Sequence, residues 1–233
     1  AMRNFANKIW NASRYVLMNL TVEETGLPDV TDLEIEDKWV LSKLNTLIKE
    51  VTENMDAYEL GVASAKVYDF IWDTYCDWYI ELTKARLYGE DEKSKLAAQK
   101  VLVYVLDQFL RLLHPFMPFI TEELWQHIYD RQPGESIMTQ TLVKDMPYDE
   151  ALIARFEAVK EVISGIRTIR LQKNIAQKEA LTLEVIGENP VAEFTSVIAK
   201  LCNLSEIKQV ASKSDGAAAF MVGTTEYLSL IHI

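Results

Sequence analysis

The feature that most constrains the fold is an aromatic-rich segment between Tyr58 and Leu82. Its bulky apolar side chains recur at helical spacing, which predicts one long helix. Side chains of this size need several neighbours to bury them, so we expect this segment to form the central helix of a bundle. The residues concerned are Tyr68, Phe70, Ile71, Trp72, Tyr75, Trp78 and Tyr79.

Four further segments of the first 147 residues also predict helices with broad apolar faces. They are Arg3–Leu20, Leu33 to about Met55, about Ala97 to Leu113, and Pro118 to about Tyr129. Thr31 or Asp32 is expected to cap the second helix and Asp56 the aromatic one, while His114-Pro115 ends the fourth. The chain is therefore predicted to be mainly α, with an antiparallel helical bundle over residues 1–147 that ends near Met146-Pro147.

The pattern changes after Pro147 and predicts a small α+β domain over residues 148–233. Asp149 can cap a helix that runs to about Leu171. Leu181–Ile186 alternates apolar and polar residues, which is typical of a half-buried strand. Asn189-Pro190 begins another helix that ends near Cys202. Further strands are predicted at Glu206–Val210, Ala218–Val222 and Tyr227–Ile231.

The charge of the chain limits how it could bind nucleic acid. Its net charge of -11 at pH 7 argues against binding by bulk electrostatic attraction. Two windows nevertheless contain basic residues and no acidic ones: the first helix, and the segment from Gly165 to Lys178. Each could be a local anion-binding patch, or simply an uneven scatter of surface charge.

The first helix has two different faces when its residues are placed about 100° apart. Phe5, Ile9, Ala12, Val16 and Leu20 form one apolar stripe. Arg3, Asn7 and Arg14 lie on nearly the opposite side. One face is therefore expected to join the core, and the other can meet an anion.

Motifs for catalysis and metal binding are absent from the sequence. It contains no dinucleotide or P-loop glycine motif, no nucleophile elbow, no zinc-protease motif and no calcium loop. His114, His127 and His232 do not have metal-ligand spacing, and Cys76 and Cys202 are predicted to be reduced thiols. Reduced thiols fit a cytoplasmic setting. No apolar run is long enough to span a membrane, so no membrane partner is expected. The sequence predicts no catalytic residue and no metal site.

Three segments together resemble the anticodon-binding domain of the class I aminoacyl-tRNA synthetases, and within that family the valyl branch most strongly. They are Arg3–Asn11 with Arg14–Leu17, Phe70–Glu81 with Lys84, and Leu112–Trp125. Ser136-Ile-Met138 also fits the family, although Met146-Pro147 stands where Trp-Pro is common. The details Cys76–Tyr79 and Asn7–Asn11 favour the valyl branch.

The resemblance implies that the chain is the tRNA-binding portion of an ATP-dependent valine–tRNA ligase, without the catalytic and editing domains. Its partners would then be the anticodon stem–loop of a valine tRNA and the catalytic domain of the same polypeptide. No cofactor is expected in this portion, since the resemblance assigns ATP and Mg to the full-length enzyme only. The chain would stop before a C-terminal helical arm and is expected to be a monomer.

Nine polar residues are the candidates for RNA contact. Arginine can bind phosphates or stack on bases, asparagine can donate and accept hydrogen bonds at base edges, and lysine supplies a point charge. Trp10 and Phe5 are expected to be packing residues. The candidates are Arg3, Asn4, Asn7, Lys8, Asn11 and Arg14 in the first helix, and Arg167, Arg170 and Lys173 in the second basic window.

Three alternatives remain open from the sequence. The polar face of the first helix could dock on the catalytic domain instead of RNA. The chain could be a helical structural or protein-interaction module whose wide apolar faces bind a partner. Finally, the same bundle occurs in isoleucyl- and leucyl-tRNA synthetases, so the chain could belong to either of those enzymes.

Overall fold

The structure is a computed structural model that describes residues 2–21, 26–142, 149–213 and 217–231. It divides into two compact units, Ala1–Asp149 and Glu150–Ile233. The predicted end of the bundle at Met146-Pro147 lies outside the described residues, as does His232.

The first unit is helical, and the second combines helices with a sheet, which confirms the predicted fold class. The helices of the first unit are α1 (Met2–Met18), α2 (Ile35–Asp56), α3 (Leu60–Asp69), a π-helical segment (Phe70–Tyr79), α4 (Ile80–Leu87), α5 (Glu92–Leu113) and α6 (Pro118–Gln126). Short 3₁₀ turns occupy Val30–Asp32 and Ile137–Thr139.

The aromatic segment is helical, as predicted, but its start and its internal geometry differ from the prediction. Asp56 is the last residue of α2 and does not cap the aromatic helix. The chain turns after it, at Tyr58, which has a φ of 59°. The helix then continues from α3 through the π-helical segment into α4 without leaving the helical region at either junction. Tyr75 and Tyr79 are fully buried in the core, which confirms the packing role of the segment.

The start of α2 also differs from the prediction. Neither Thr31 nor Asp32 caps this helix. Glu34 occupies the N-cap and shares a capping box with Asp37, whose Oδ2 accepts a hydrogen bond from the Glu34 amide at 3.0 Å. A reciprocal pair satisfies two backbone donors at once, so it competes well with a single hydroxyl or carboxylate cap.

A buried ionic cluster joins α2, the π-helical segment and α4. The Arg86 guanidinium lies 2.8 Å from Asp37 Oδ1 and 3.3 Å from Glu36 Oε1. The Tyr79 hydroxyl donates to the same Asp37 oxygen at 2.6 Å. Burial raises the pKa of the Glu36 carboxyl, and Arg86 partly offsets that effect. Since paired charges stay buried only when their partners are held in place, the cluster fixes these helices against one another.

The second unit consists of α7 (Glu150–Gln172), β1 (Leu181–Ile186), a 3₁₀ turn (Ala192–Phe194), α8 (Thr195–Cys202), β2 (Leu204–Val210), β3 (Ala218–Val222) and β4 (Thr225–Ile231). All four predicted strands are present, although β2 and β4 each begin two residues earlier than predicted. The strand order is β2-β1-β4-β3. β1 and β2 are parallel, with α8 in the connection between them, and the other pairs are antiparallel.

The helix α7 packs against this sheet through a close approach at one glycine. A side chain at position 165 would overlap the Phe220 ring of β3. Phe220 in turn stacks on Tyr227 of β4, with ring centroids 5.4 Å apart. The missing side chain of Gly165 therefore makes room for the aromatic pair that anchors the hairpin of β3 and β4 to α7.

Candidate nucleic-acid interface

The buried face of α1 holds the helix on the bundle. Phe5, Ile9 and Val16 are at most 1% exposed, as the apolar stripe predicts. The Phe5 ring packs on Tyr68, with centroids 4.4 Å apart. Leu20 lies beyond the end of the helix and is only partly buried. This packing fixes which side of α1 faces outward.

The outward face of α1 carries five of the candidate residues. Arg3, Asn4, Asn7, Asn11 and Arg14 are all exposed. Within the part of the chain that the structure describes, Arg3 and Arg14 have no ion-pair partner. At about 100° per residue, these five side chains lie within one side of the helix. They therefore form a continuous surface of guanidinium and amide groups.

Part of this surface forms one wall of an open groove, called here the α1 groove, with a volume of ≈ 480 Å³. The facing wall comes from the π-helical segment and α4. The lining residues are Asn4, Asn7, Lys8, Asn11, Ala12 and Tyr15 on one side, and Cys76, Ile80 and Lys84 on the other. The groove thus brings together four of the six candidates from the first helix.

Lys8 is held inside the α1 groove by two neighbours. Its Nζ lies 2.6 Å from Asp77 Oδ1 and 3.8 Å from the centre of the Trp72 ring. An ammonium over an indole face is attracted by the ring quadrupole, and the carboxylate adds a direct ionic contact. Lys8 is therefore a partly neutralised cation, whereas the sequence window around it contains no acidic residue.

Tyr15 and Lys84 are groove residues that were not among the candidates. The Tyr15 and Tyr88 hydroxyls lie 3.2 Å apart, and burial raises the pKa of Tyr15. Lys84 Nζ lies 2.5 Å from Glu81 Oε1. Tyr15 is one turn beyond Asn11 on the same helix face, which is a signal that the sequence does contain. The position of Lys84 opposite α1 depends on the tertiary fold.

Cys76 lies in the groove but is not a reactive group. Burial raises the pKa of its thiol to about 12. The thiolate is the form that attacks electrophiles or binds metals, so a thiol with this pKa is inert at neutral pH.

Trp10 is a residue that the sequence interpretation misplaced. It was expected to be a packing residue, but 46% of it is exposed. It borders a smaller hollow of ≈ 330 Å³, called here the Trp10 cleft, between α1 and α6. The prediction was wrong because Trp10 lies beside the polar strip of α1, between Asn7 and Arg14, and outside the arc that packs on the bundle. The described lining residues are Trp10, Arg14, Leu17, Met18, Leu124 and His127.

The second basic window lies in the second unit, and its three candidates have different surroundings. Arg167 and Lys173 are exposed on α7 and just after it. Arg170 is only 2% exposed. Its guanidinium donates to the backbone carbonyls of Ala176, Glu179, Cys202 and Asn203 at 2.7–3.2 Å. This corrects the prediction for Arg170, because a side chain enclosed by these carbonyls ties loops together and does not reach a surface ligand.

The two described histidines have structural hydrogen bonds. His114 Nδ1 lies 2.7 Å from Thr121 Oγ1, and His127 Nδ1 lies 2.8 Å from the Glu123 carbonyl oxygen. Among residues 2–21, 26–142, 149–213 and 217–231, no three or more His, Cys, Asp or Glu side chains form a group that could hold a metal. Nor is any helix of these ranges long and apolar enough to cross a membrane.

Several curated valine–tRNA ligases are similar to this chain. The chain is 52% identical to the valine–tRNA ligase of Phocaeicola vulgatus and 49% identical to that of Bacteroides thetaiotaomicron, in each case over 97% of this chain. It is 42% identical to the Bacillus cereus enzyme over 88% of this chain. The chain spans about a quarter of the length of these relatives, 25% for the first two and 24% for the third.

A family model described as the anticodon-binding domain of tRNA ligase matches residues 37–186. The matched range contains Arg167, Arg170 and Lys173, while α1 precedes it. The range begins within α2 and ends with β1, so it covers most of the described fold. Since it covers well over half of the chain, the chain belongs to the family of tRNA-ligase anticodon-binding domains.

Proposed function

We propose that this chain is the part of a valine–tRNA ligase that binds the anticodon stem–loop of the tRNA. The observation that carries the proposal is the exposed face of α1, where Arg3 and Arg14 flank a row of asparagines. Membership of the anticodon-binding family and the similarity to valine–tRNA ligases support both the ligand class and the amino acid.

The chemistry of this face suits a single-stranded RNA loop. Unstacked bases display hydrogen-bonding edges, which amide side chains can read as both donors and acceptors. The guanidinium groups of Arg3 and Arg14 can bind phosphates or stack on bases. Because the chain as a whole has a net charge of -11, attraction is confined to this local surface. Binding by the isolated chain is therefore expected to be weak and sensitive to salt.

The activity of the longer enzyme is part of the same proposal. It would join valine to its tRNA with ATP, with ATP and Mg²⁺ held by portions of the polypeptide other than this one. The chain itself would position the tRNA and contribute no catalytic residue. A monomeric, cytoplasmic enzyme is the form that we infer from the family.

Titration of a fluorescent valine-tRNA anticodon stem–loop with the chain tests the proposal directly. We expect saturable binding at low salt and a weaker signal with a loop of altered anticodon bases. Replacing both Arg3 and Arg14 by Ala should weaken binding by more than about 10-fold and lower the salt slope by about 1.4, near 0.7 per lost phosphate contact. The exposed pair Lys38→Ala and Lys49→Ala on α2 removes the same charge away from α1 and should change little.

Two other functions predict different results in this titration. Exposed apolar side chains at Tyr58, Leu60 and Val62, which are 89%, 51% and 46% exposed, favour a protein-interaction module. Failure of either stem–loop to bind at low salt would support that module, or docking of the α1 face on the rest of the enzyme. Tighter binding of an isoleucine or leucine stem–loop would instead move the chain to that branch of the family.

A further inference from the structure

The Trp10 cleft has the composition of a small-ligand site and not that of an ordinary surface hollow. Leu17, Met18 and Leu124 supply apolar surface, and Arg14 and His127 supply polar groups at the rim. Ligand sites are commonly apolar pockets with a few placed polar groups, and ≈ 330 Å³ is at the small end of their size range. The cleft therefore suits one compact, flat ligand.

The charge around the cleft favours a ligand that carries an anion. None of the six described lining residues is acidic, in a chain with 35 Asp and Glu residues. The Glu123 carboxylate of α6 lies close to one of the rim residues, with its Oε1 3.9 Å from His127 Nδ1. Arg14, exposed on α1, can bind a phosphate at the rim while the indole of Trp10 offers a stacking face.

The Trp10 cleft is also continuous with the surface to which RNA binding is assigned. Arg14 belongs to both, and Trp10 follows Asn7 by three residues and precedes Arg14 by four, so the three lie along one side of α1. A strand of RNA whose phosphates follow this side would present its bases to either hollow.

We infer that the Trp10 cleft takes one unstacked base of the bound RNA, which stacks on the indole of Trp10 while Arg14 binds the adjoining phosphate. This inference rests on the proposed function and extends it, because it divides the interface into two parts. The α1 groove reads base edges through amides, and the Trp10 cleft holds one base by its face. Stacking tolerates any base, so the cleft supplies affinity and the α1 groove supplies selectivity.

A set of Trp10 variants of the full chain tests this inference, with the valine-tRNA anticodon stem–loop as the probe. Trp10→Leu keeps an apolar side chain but removes the stacking face, and it should weaken binding by about 5- to 100-fold. Trp10→Tyr should restore most of the affinity. Phe119→Leu, at a residue 91% exposed in α6, removes another surface aromatic and should have no effect. Trp10 is half exposed, so these variants are expected to fold, which far-ultraviolet circular dichroism would check.

Stem–loops with a single abasic nucleotide identify the base. At one loop position, the abasic change and Trp10→Leu should each weaken binding, and together they should cost no more than either alone. If the two effects multiply at every loop position, or if Trp10→Leu binds like the wild type, Trp10 does not stack on a base and the inference is overturned. In that case binding that still depends on Arg3 and Arg14 would leave the proposed function standing. Absence of binding by the wild-type chain at low salt would overturn both.

Discussion

Arginine residues in this chain carry opposite roles that their local sequence does not distinguish. Arg14 is exposed on α1, whereas Arg170 is enclosed by four backbone carbonyls. Both lie in windows without acidic residues. A guanidinium has five donors, so several backbone carbonyls can hold a buried arginine without a carboxylate partner. An acid-free basic window is thus an incomplete sign of a ligand site.

Replacing Arg170 by Met should therefore destabilise the second unit. The change removes the donor to the carbonyls of Glu179 and Cys202, and each hydrogen bond to a charged group contributes about 1.5–3 kcal/mol. We expect the free energy of unfolding, measured with urea, to fall by at least about 2 kcal/mol. The matched change Lys173→Met, at an exposed residue, should alter the free energy of unfolding by no more than about 0.5 kcal/mol. Equal effects of the two changes would contradict the structural role of Arg170.

Asp77 restrains Lys8, which is one of two lysines in the α1 groove that already have a carboxylate partner. Asp77→Asn removes the carboxylate 2.6 Å from Lys8 Nζ and should leave stability within about 1 kcal/mol, since the pair is partly exposed. On the proposed function, the released charge should tighten RNA binding about 2- to 5-fold and steepen the salt dependence by about 0.7. Asp69→Asn, at an exposed residue of α3, is the control for net charge. Equal gains from both variants would show a general charge effect instead.

At the scale of elements, periodicity predicted where helices exist but not how they begin or turn. The aromatic segment satisfies a 3.6-residue pattern, yet Phe70–Tyr79 forms a π-helix, whose i→i+5 hydrogen bonds this pattern does not specify. The start of α2 had several capping candidates, and the reciprocal pair of Glu34 and Asp37 formed. The outward face of α1 was predictable, whereas the opposite wall of its groove required the tertiary structure.

The cluster that joins α2 to α4 gives stability a predictable pH dependence. Burial raises the pKa of Glu36 above its usual 4.5, so the folded state binds this proton more tightly than the unfolded chain. Its contribution is fully present below about pH 4.5 and is lost as pH rises through the raised pKa. The variant Glu36→Gln has no titrating carboxyl at this position, so it does not lose this stability as pH rises. Its free energy of unfolding, relative to the wild type, should therefore increase between pH 4 and pH 7 in urea titrations, and a difference independent of pH would contradict the assignment.

The contact of α7 with β3 reverses an ordinary rule of helix stability. In a helix interior, Gly→Ala usually stabilises by up to about 1 kcal/mol. Gly165→Ala should instead destabilise the second unit by about 1–3 kcal/mol, because the added methyl overlaps the Phe220 ring. In a Phe220→Ala background the same change should become neutral or stabilising. Thermal unfolding of the wild type, the two single variants and the double variant measures the reversal. If the effects of the two changes on stability are additive, the Phe220 ring moves aside for the added methyl without an energetic penalty.

At the scale of the whole molecule, the two units divide the candidate residues between them. All the described residues of the α1 groove and the Trp10 cleft lie before Glu150, while Arg167 and Lys173 lie after it. Each unit has its own buried apolar residues, which is the condition for independent folding.

A fragment of residues 1–149 is therefore expected to unfold cooperatively and to keep most of the RNA affinity of the full chain. Circular dichroism during urea unfolding and titration with the same stem–loop measure these two properties. Residues 150–233 alone should fold but bind the stem–loop weakly. If the first fragment folds and loses its affinity, the second basic window makes a larger contribution than α1.

The strand order places β3 at one end of the sheet, paired with β4 on one side only among the described residues. Its five residues, Ala218–Val222, include no charge and no proline. An edge of this kind offers free backbone donors and acceptors to any extended chain, and charged residues normally discourage such pairing. Strand-to-strand self-association at high concentration is therefore the characteristic risk of the second unit, and β3 is where a single lysine on the solvent side would suppress it.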